Sequence, residues 1–195
     1  SKSKWNQNNL ITSCGSCHKE ATEQYLISNH GNAFKNGDKS APNCITCHKS
    51  PVTTSAFGEN KVDKKITQEK LCLSCHLDDE DVKNRTTPSA GFIHAYDKSV
   101  HGLALNRDKN GDAASCVDCH ESHNILKPTD SRSSVYRLNI PNTCGKCHSA
   151  IKNEFLESIH GQLVIKGNGD APSCTNCHGE HNILHVDDPN SPVAF

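Results

Sequence analysis

The chain has 195 residues, with 21 basic against 22 acidic side chains and a net charge of −1. Near-neutral charge excludes the basic footprint of a nucleic-acid binder, and no stretch approaches the ~20 apolar residues of a membrane-spanning helix. Only 33% of residues are hydrophobic and 5% aromatic, and the mean hydropathy is −0.67. A polypeptide this polar can barely bury a core unaided.

In chain order, Ser1 to Asn9 is polar and lacks the apolar core of a signal peptide. The numbering is therefore expected to start at a mature terminus. Cys14-Gly15-Ser16-Cys17-His18 is the first of six Cys-x-x-Cys-His words. Lys19 to Phe34 is proline-free and helix-compatible, and contains Ser28-Asn29-His30-Gly31. Gly37 and Pro42 punctuate before the second word, Cys44 and Cys47 with His48. Residues 50–66 read as a linker. The third word is Cys72 and Cys75 with His76, followed by Asp78-Asp79-Glu80-Asp81, a solvated acidic face. His94 precedes Ser99-Val100-His101-Gly102. Asp108-Lys109-Asn110-Gly111-Asp112 resembles the start of a calcium loop, but Cys119 stands where that loop needs glutamate, so a turn is expected. The fourth word, Cys116 and Cys119 with His120, runs into Glu121-Ser122-His123-Asn124-Ile125-Leu126. A linker at 128–141, bounded by Pro128 and Pro141, leads to Cys144 and Cys147 with His148. Ser149 to Val164 is again proline-free, with Leu156, Ile159 and Leu163 at helical spacing around Ser158-Ile159-His160-Gly161. The sixth word, Cys174 and Cys177 with His178, precedes Gly179-Glu180-His181-Asn182-Ile183-Leu184 and then His185.

All twelve cysteines lie in the six words. Disulfides or zinc knuckles would also use cysteine pairs, but neither requires a histidine after every second cysteine. With histidine at 13 of 195 positions, six in six is not chance. The spacing is the attachment signature of c-type haem. Two thiols add to the two vinyl groups of one porphyrin, and the next residue lies under the ring as the proximal iron ligand. Six covalently bound haems c are thus expected, on His18, His48, His76, His120, His148 and His178. Their porphyrins supply the missing apolar mass, and folding should depend on them. Methionine is absent, which leaves histidine as sixth ligand and favours low potentials. Covalent haem attachment takes place outside the cytoplasm, so the protein is expected to be periplasmic or extracellular.

Residues 144–178 repeat residues 14–48 with every matched position 130 apart: cysteines and histidines, and also Ser28, Gly31, Gly37, Ala41 and Pro42 with Ser158, Gly161, Gly167, Ala171 and Pro172. The middle block keeps the plan with extra residues between His76 and His101. The expected fold is mostly α with extensive coil, little or no β and a haem-dominated core. It forms one hexahaem domain over 1–195, of three tandem two-haem modules at 10–50, 66–127 and 140–185.

Seven histidines lie outside the words. His30, His101 and His160 share the Ser-x-His-Gly context, which suggests distal ligands. His123 and His181 share another, three residues beyond a proximal histidine, too close to reach the opposite face of the same ring. They are expected to ligate a neighbouring haem. The sixth distal ligand is His94 or His185. His94 lies seven residues before His101, while His185 stands where the middle module has Lys127.

Over residues 14–185 these words and contexts resemble the multihaem c-type cytochromes, especially periplasmic donors to nitrite reductase and decahaem conduits. They are also similar to extracellular cytochromes that polymerise into filaments. The resemblance implies electron relay between redox partner proteins or extracellular acceptors, by a non-enzymatic bis-histidine cytochrome in anaerobic respiration. It would act as a soluble shuttle or as a filament subunit, where a histidine of one subunit can complete a haem of the next. The alternative is a multihaem reductase of a small nitrogen or sulfur compound with one open haem. No Cys-x-x-Cys-Lys word is present.

Overall fold

The computed structural model describes residues 9–48, 60–86 and 94–194. Among them there are short helices, turns and coil, and no strand. The first module holds α1 (Leu10–Gly15), α2 (Lys19–Ile27), α3 (Asn29–Lys35) and α4 (Cys44–His48). The second holds α5 (Lys61–His76), α6 (Glu80–Thr86), a 3-10 turn at Ala95–Lys98, α7 (Val100–Asn106) and α8 (Cys116–His120). After a 3-10 turn at Arg137–Asn139, the third holds α9 (Ile140–Cys144), α10 (Ser149–Glu157), α11 (Ile159–Ile165) and α12 (Cys174–His178).

The two proline-free stretches are each two helices rather than one. The break falls at the serine of Ser-x-His-Gly, whose backbone is extended (ψ 165° at Ser28 and 163° at Ser158). A serine side chain can satisfy backbone groups that a helix would otherwise use, so it stops one helix and caps the next. Ser28 Oγ accepts from Gly31 N–H at 3.0 Å and donates to the Tyr25 carbonyl at 2.7 Å. Ser99 does the same with Gly102 (3.0 Å) and Tyr96 (2.7 Å), and Ser158 with Gly161 (3.2 Å) and Phe155 (2.6 Å). The glycine of the motif lies against the previous helix end. A Cβ on Gly31, Gly102 or Gly161 would overlap the carbonyl oxygen of Tyr25, Tyr96 or Phe155. Ser-x-His-Gly is therefore a helix corner that fixes the histidine in the first turn of the second helix.

The corner is tied to the loop before the second word. Tyr25 Oη donates to the Pro42 carbonyl at 2.8 Å and Tyr96 Oη to the Ala114 carbonyl at 2.7 Å. Phe155 has no hydroxyl, and in the third module Arg137 holds the loop instead, its Nη2 2.9 Å from the Ala171 carbonyl. The second word of each module is a one-turn helix capped by its own residues. Asp118 Oδ2 accepts from Ser115 N–H (2.7 Å), Asn176 Oδ1 from Ser173 N–H (2.8 Å), and Thr46 Oγ1 from Asn43 N–H (3.1 Å). The reciprocal capping pattern explains the polar residues around and between these cysteines.

Two expected linkers are partly structured. Residues 50–59 of the first lie outside the described residues. Lys61 onward belongs to α5, whose N-terminus is capped by Asn60 Oδ1 accepting from Asp63 N–H at 2.9 Å. The second ends in the Arg137–Asn139 turn and α9, where Pro141 sits in the first turn and its missing N–H costs nothing. The Asp108–Asp112 segment is a turn, with Asp112 N–H on Asn110 Oδ1 at 2.9 Å. Asp78 to Asp81 is exposed, and Asp79 Oδ1 accepts from Val82 N–H at 3.0 Å at the start of α6.

Within each module the helix bearing the first word packs on the helix bearing the second: α1 on α4, α5 on α8, α9 on α12. Lys65 of α5, 12% exposed, donates to Asp118 Oδ2 at 2.9 Å and to the Ala113 carbonyl at 2.6 Å. Burial pushes the Asp118 carboxyl up, but the hydrogen bonds from Lys65 and Ser115 outweigh it and hold it low. Between modules, Asn29 N–H donates to the Ile125 carbonyl and Val100 N–H to the Ile183 carbonyl, both at 2.9 Å. Buried apolar side chains among the described residues include Leu10, Val82, Leu105, Leu126, Ile140 and Val164, a thin core for this length.

Candidate haem sites

The twelve thiols are free and at least partly accessible, and they succeed one another through the fold in chain order. Cys14 and Cys44 are hydrogen-bonded neighbours, as are Cys72 and Cys116, and Cys144 and Cys174. These contacts join the two words inside each module. Across the first junction, the Cys47 thiol is pushed up to about 11 by burial and then by Cys72, Cys44 and Cys75. Across the second, Cys119 is raised by burial first, with Asp118 and the Cys147 thiol adding to the rise.

The histidines meet across the same junctions. His30 faces His76 with ring centroids 6.1 Å apart, and His48 faces His123 at 6.2 Å. His101 faces His148 at 6.1 Å, and His120 faces His181 at 5.9 Å. A metal–nitrogen bond of ~2.0 Å puts each imidazole centroid about 3 Å from the ion, so two rings on one ion stand about 6 Å apart. The four pairs fit an iron between them. Each unites a histidine of a Cys-x-x-Cys-His word with one of the histidines read as distal, and each crosses a module boundary. His30 and His101 reach forward to the first word of the next module. His123 and His181 reach back to the second word of the module before.

Burial holds His30 and His120 down to about 4, with His76 and His181 respectively adding to the effect. Burial also lowers His76, His101, His123 and His181. These imidazoles are neutral at pH 7, the form that binds a metal. His18, His160 and His178 are exposed, as are His94 and His185. Among the described residues none of these five faces another histidine ring. His185 instead lies 3.2 Å from Asp187. The structure brings neither His94 nor His185 to a proximal histidine.

Glu69 was not singled out by the sequence. It is 5% exposed on α5 and accepts from Asn106 Nδ2 at 3.2 and 3.3 Å. Aligning the words would have flagged it, because Ile11 and Pro141 stand at its place in the other modules. Burial raises its pKa. The Asn106 hydrogen bond opposes this, and Asp97 adds to the rise. A folded value above the unfolded one means that folding favours the protonated form. That contribution is present below the ordinary carboxyl range and is lost as pH rises through the folded value. Glu69→Gln is expected to be more stable than the wild type at neutral pH and to lose that advantage in acid. Thermal melts of both proteins across pH check this, and a pH-independent difference would rule out the desolvated carboxylate.

Facing imidazoles beside paired thiols, on short helices that leave a thin core, go with a distant similarity to multihaem cytochromes. It is 23% identical to multiheme cytochrome MtrA of Shewanella baltica over 193 residues, which takes in 92% of this chain and 49% of the relative. It is 27% identical to cytochrome c-type protein NrfB of Escherichia coli over 142 residues, 66% of this chain and 74% of the relative. The chain thus spans about half the length of MtrA. No protein-family model matches the chain, and no solved structure does.

Proposed function

We propose that the chain is a hexahaem, bis-histidine c-type cytochrome that relays electrons between redox partners, in the periplasm or at the cell exterior. It would work as a shuttle or as a subunit of a filament. The observation that carries this reading is the set of four imidazole pairs, each spanning an iron-sized gap across a module junction. Each haem would supply a one-electron iron couple. The residues of the chain would do the rest. Histidines on both faces would close the iron to substrates, and Ser-x-His-Gly corners and capped words would fix the ring positions. Successive attachment sites in chain order keep each group beside the next.

The second reading is a reductase of a small nitrogen or sulfur compound. It needs one iron with an open distal side, and rests on His18 and His178, the two proximal candidates that face no ring among the described residues. Ferric electron paramagnetic resonance on the purified holoprotein separates the two. The relay predicts low-spin signals from at least the four paired sites and no nitrite turnover. More than two high-spin haems would refute the pairing. A high-spin haem that persists on concentration and binds nitrite would favour the reductase.

A further inference from the structure

We infer that Glu69, with Asp97 beside it, is a proton-uptake site coupled to the arrival of an electron in the second module. The inference rests on the relay reading and adds a proton to the electron that this module passes on. Glu69 is the one carboxyl buried among the described residues. Both of its oxygens accept from a single neutral group, Asn106 Nδ2. Asp97 hydrogen-bonds it from the 3-10 turn, and two carboxyls can share a hydrogen bond only if one of them carries a proton. Burial and the Asp97 charge both favour the protonated form of Glu69. The other modules have no such pair. Ile11 and Leu26 stand at the two places in the first module, Pro141 and Leu156 in the third. Apolar side chains suit a buried place, whereas a carboxyl there opposes folding, so the second module carries a group that packing alone does not call for.

The position of Glu69 ties it to both attachment sites of its module. It lies one turn before Cys72 on α5, and its charge acts on Cys72 and on Cys116 of α8, the two neighbouring sulfurs that would carry porphyrins. The remaining groups around it are otherwise engaged. Tyr96 feels the same charge, but its hydroxyl donates to the Ala114 carbonyl. On its own helix Lys65 is paired with Asp118, and Lys70 is exposed. Ferric haem has one more positive charge than ferrous haem, and a nearby positive charge holds a carboxylate ionised. When a one-electron donor protein reduces the module, Glu69 loses that attraction and takes a proton from solvent by way of the exposed Asp97. One electron and one proton enter together, and both leave on oxidation. By reciprocity, a protonated Glu69 makes the module easier to reduce. Its potentials should fall as pH rises through the window between the oxidised-state and reduced-state pKa of Glu69, and be flat on either side.

The experiment measures proton uptake on full reduction of the holoprotein and its reduction potentials, both across pH. The wild type is expected to take up as much as about one proton per chain more than Glu69→Gln within that window. Uptake by the porphyrin carboxyls is common to both proteins and cancels in the difference. Glutamine has the shape of the protonated acid, so the affected potentials should stay near the acid limit of the wild type. They should lose a slope of up to ~59 mV per pH unit, the one-electron equivalent of a tenfold change in proton concentration. Asp97→Asn should keep the uptake and move it to lower pH, because a neighbouring negative charge is gone. Equal uptake and equal pH dependence in wild type and Glu69→Gln overturn the inference. A window that Asp97→Asn leaves unmoved also overturns it, and this arm decides alone if Glu69→Gln does not fold. Failure of the relay reading looks different: more than two high-spin haems in the ferric wild type, whatever residue stands at 69.

Discussion

Replacing His181 with alanine is expected to turn the haem on Cys116 and Cys119 high-spin, and to leave the haem on the adjacent Cys174 and Cys177 unchanged. His181 follows His178 by three residues, so sequence proximity alone would tie it to the latter haem. The fold ties it to the former: its ring faces His120 at 5.9 Å with planes only 9° apart. The loss should be one low-spin haem and no more, because the other axial ligands are untouched. Thioether attachment should survive, and mass spectrometry would count as many porphyrins as in the wild type. His123→Ala should act likewise on the haem at Cys44 and Cys47, since His123 faces His48 at 6.2 Å. Unchanged spectra, or a high-spin haem on Cys174 and Cys177, would sink the cross-module assignment.

The second large effect is expected from Gly102→Ala. In an ordinary helix this change stabilises by about 1 kcal/mol, because alanine orders at less entropic cost. Here a Cβ would overlap the Tyr96 carbonyl oxygen and crowd Asp97 Cα. Both are backbone atoms and cannot turn aside as a side chain can, so overpacking should win, with a net loss of about 2 kcal/mol. Relief would have to open the corner between the Ala95–Lys98 turn and α7, moving His101 off His148 and Val100 N–H off the Ile183 carbonyl. The signature is a lower melting temperature together with partial high-spin character at the haem on Cys144 and Cys147. A variant as stable and as low-spin as the wild type would show that the corner does not position His101.

The six Cys-x-x-Cys-His words and the threefold repeat were legible because they are spelled in residue types at fixed spacing. Five distal candidates were legible from two recurring contexts, and four of them meet a proximal histidine. Which histidine serves which haem was not legible, since pairing across modules depends on how one module lies on the next. The helix-compatible stretches across Ser28 and Ser158 are broken at those serines for a local reason. The stretch lacks proline, and the serine's competition for backbone hydrogen bonds shows only when Gly31 and Gly161 are recognised as its partners. Tyr25 and Tyr96 could have been found by the same alignment, three residues before the motif serine. Lys65 and its bond to Asp118 could not, because no other module has the long helix that brings the two together.

The junctions also have a mechanical meaning. A single contact between two bodies is a swivel, two contacts make a hinge, and three that do not lie on one line leave no free rotation. Each module junction has three: one histidine sent forward, one sent back, and a backbone hydrogen bond beside them. At the first these are His30 with His76, His48 with His123, and Asn29 with Ile125; at the second, His101 with His148, His120 with His181, and Val100 with Ile183. A chain with so little apolar core can therefore hold its modules in fixed relative positions once iron joins the rings. Its rigidity then comes from its mountings rather than from its packing.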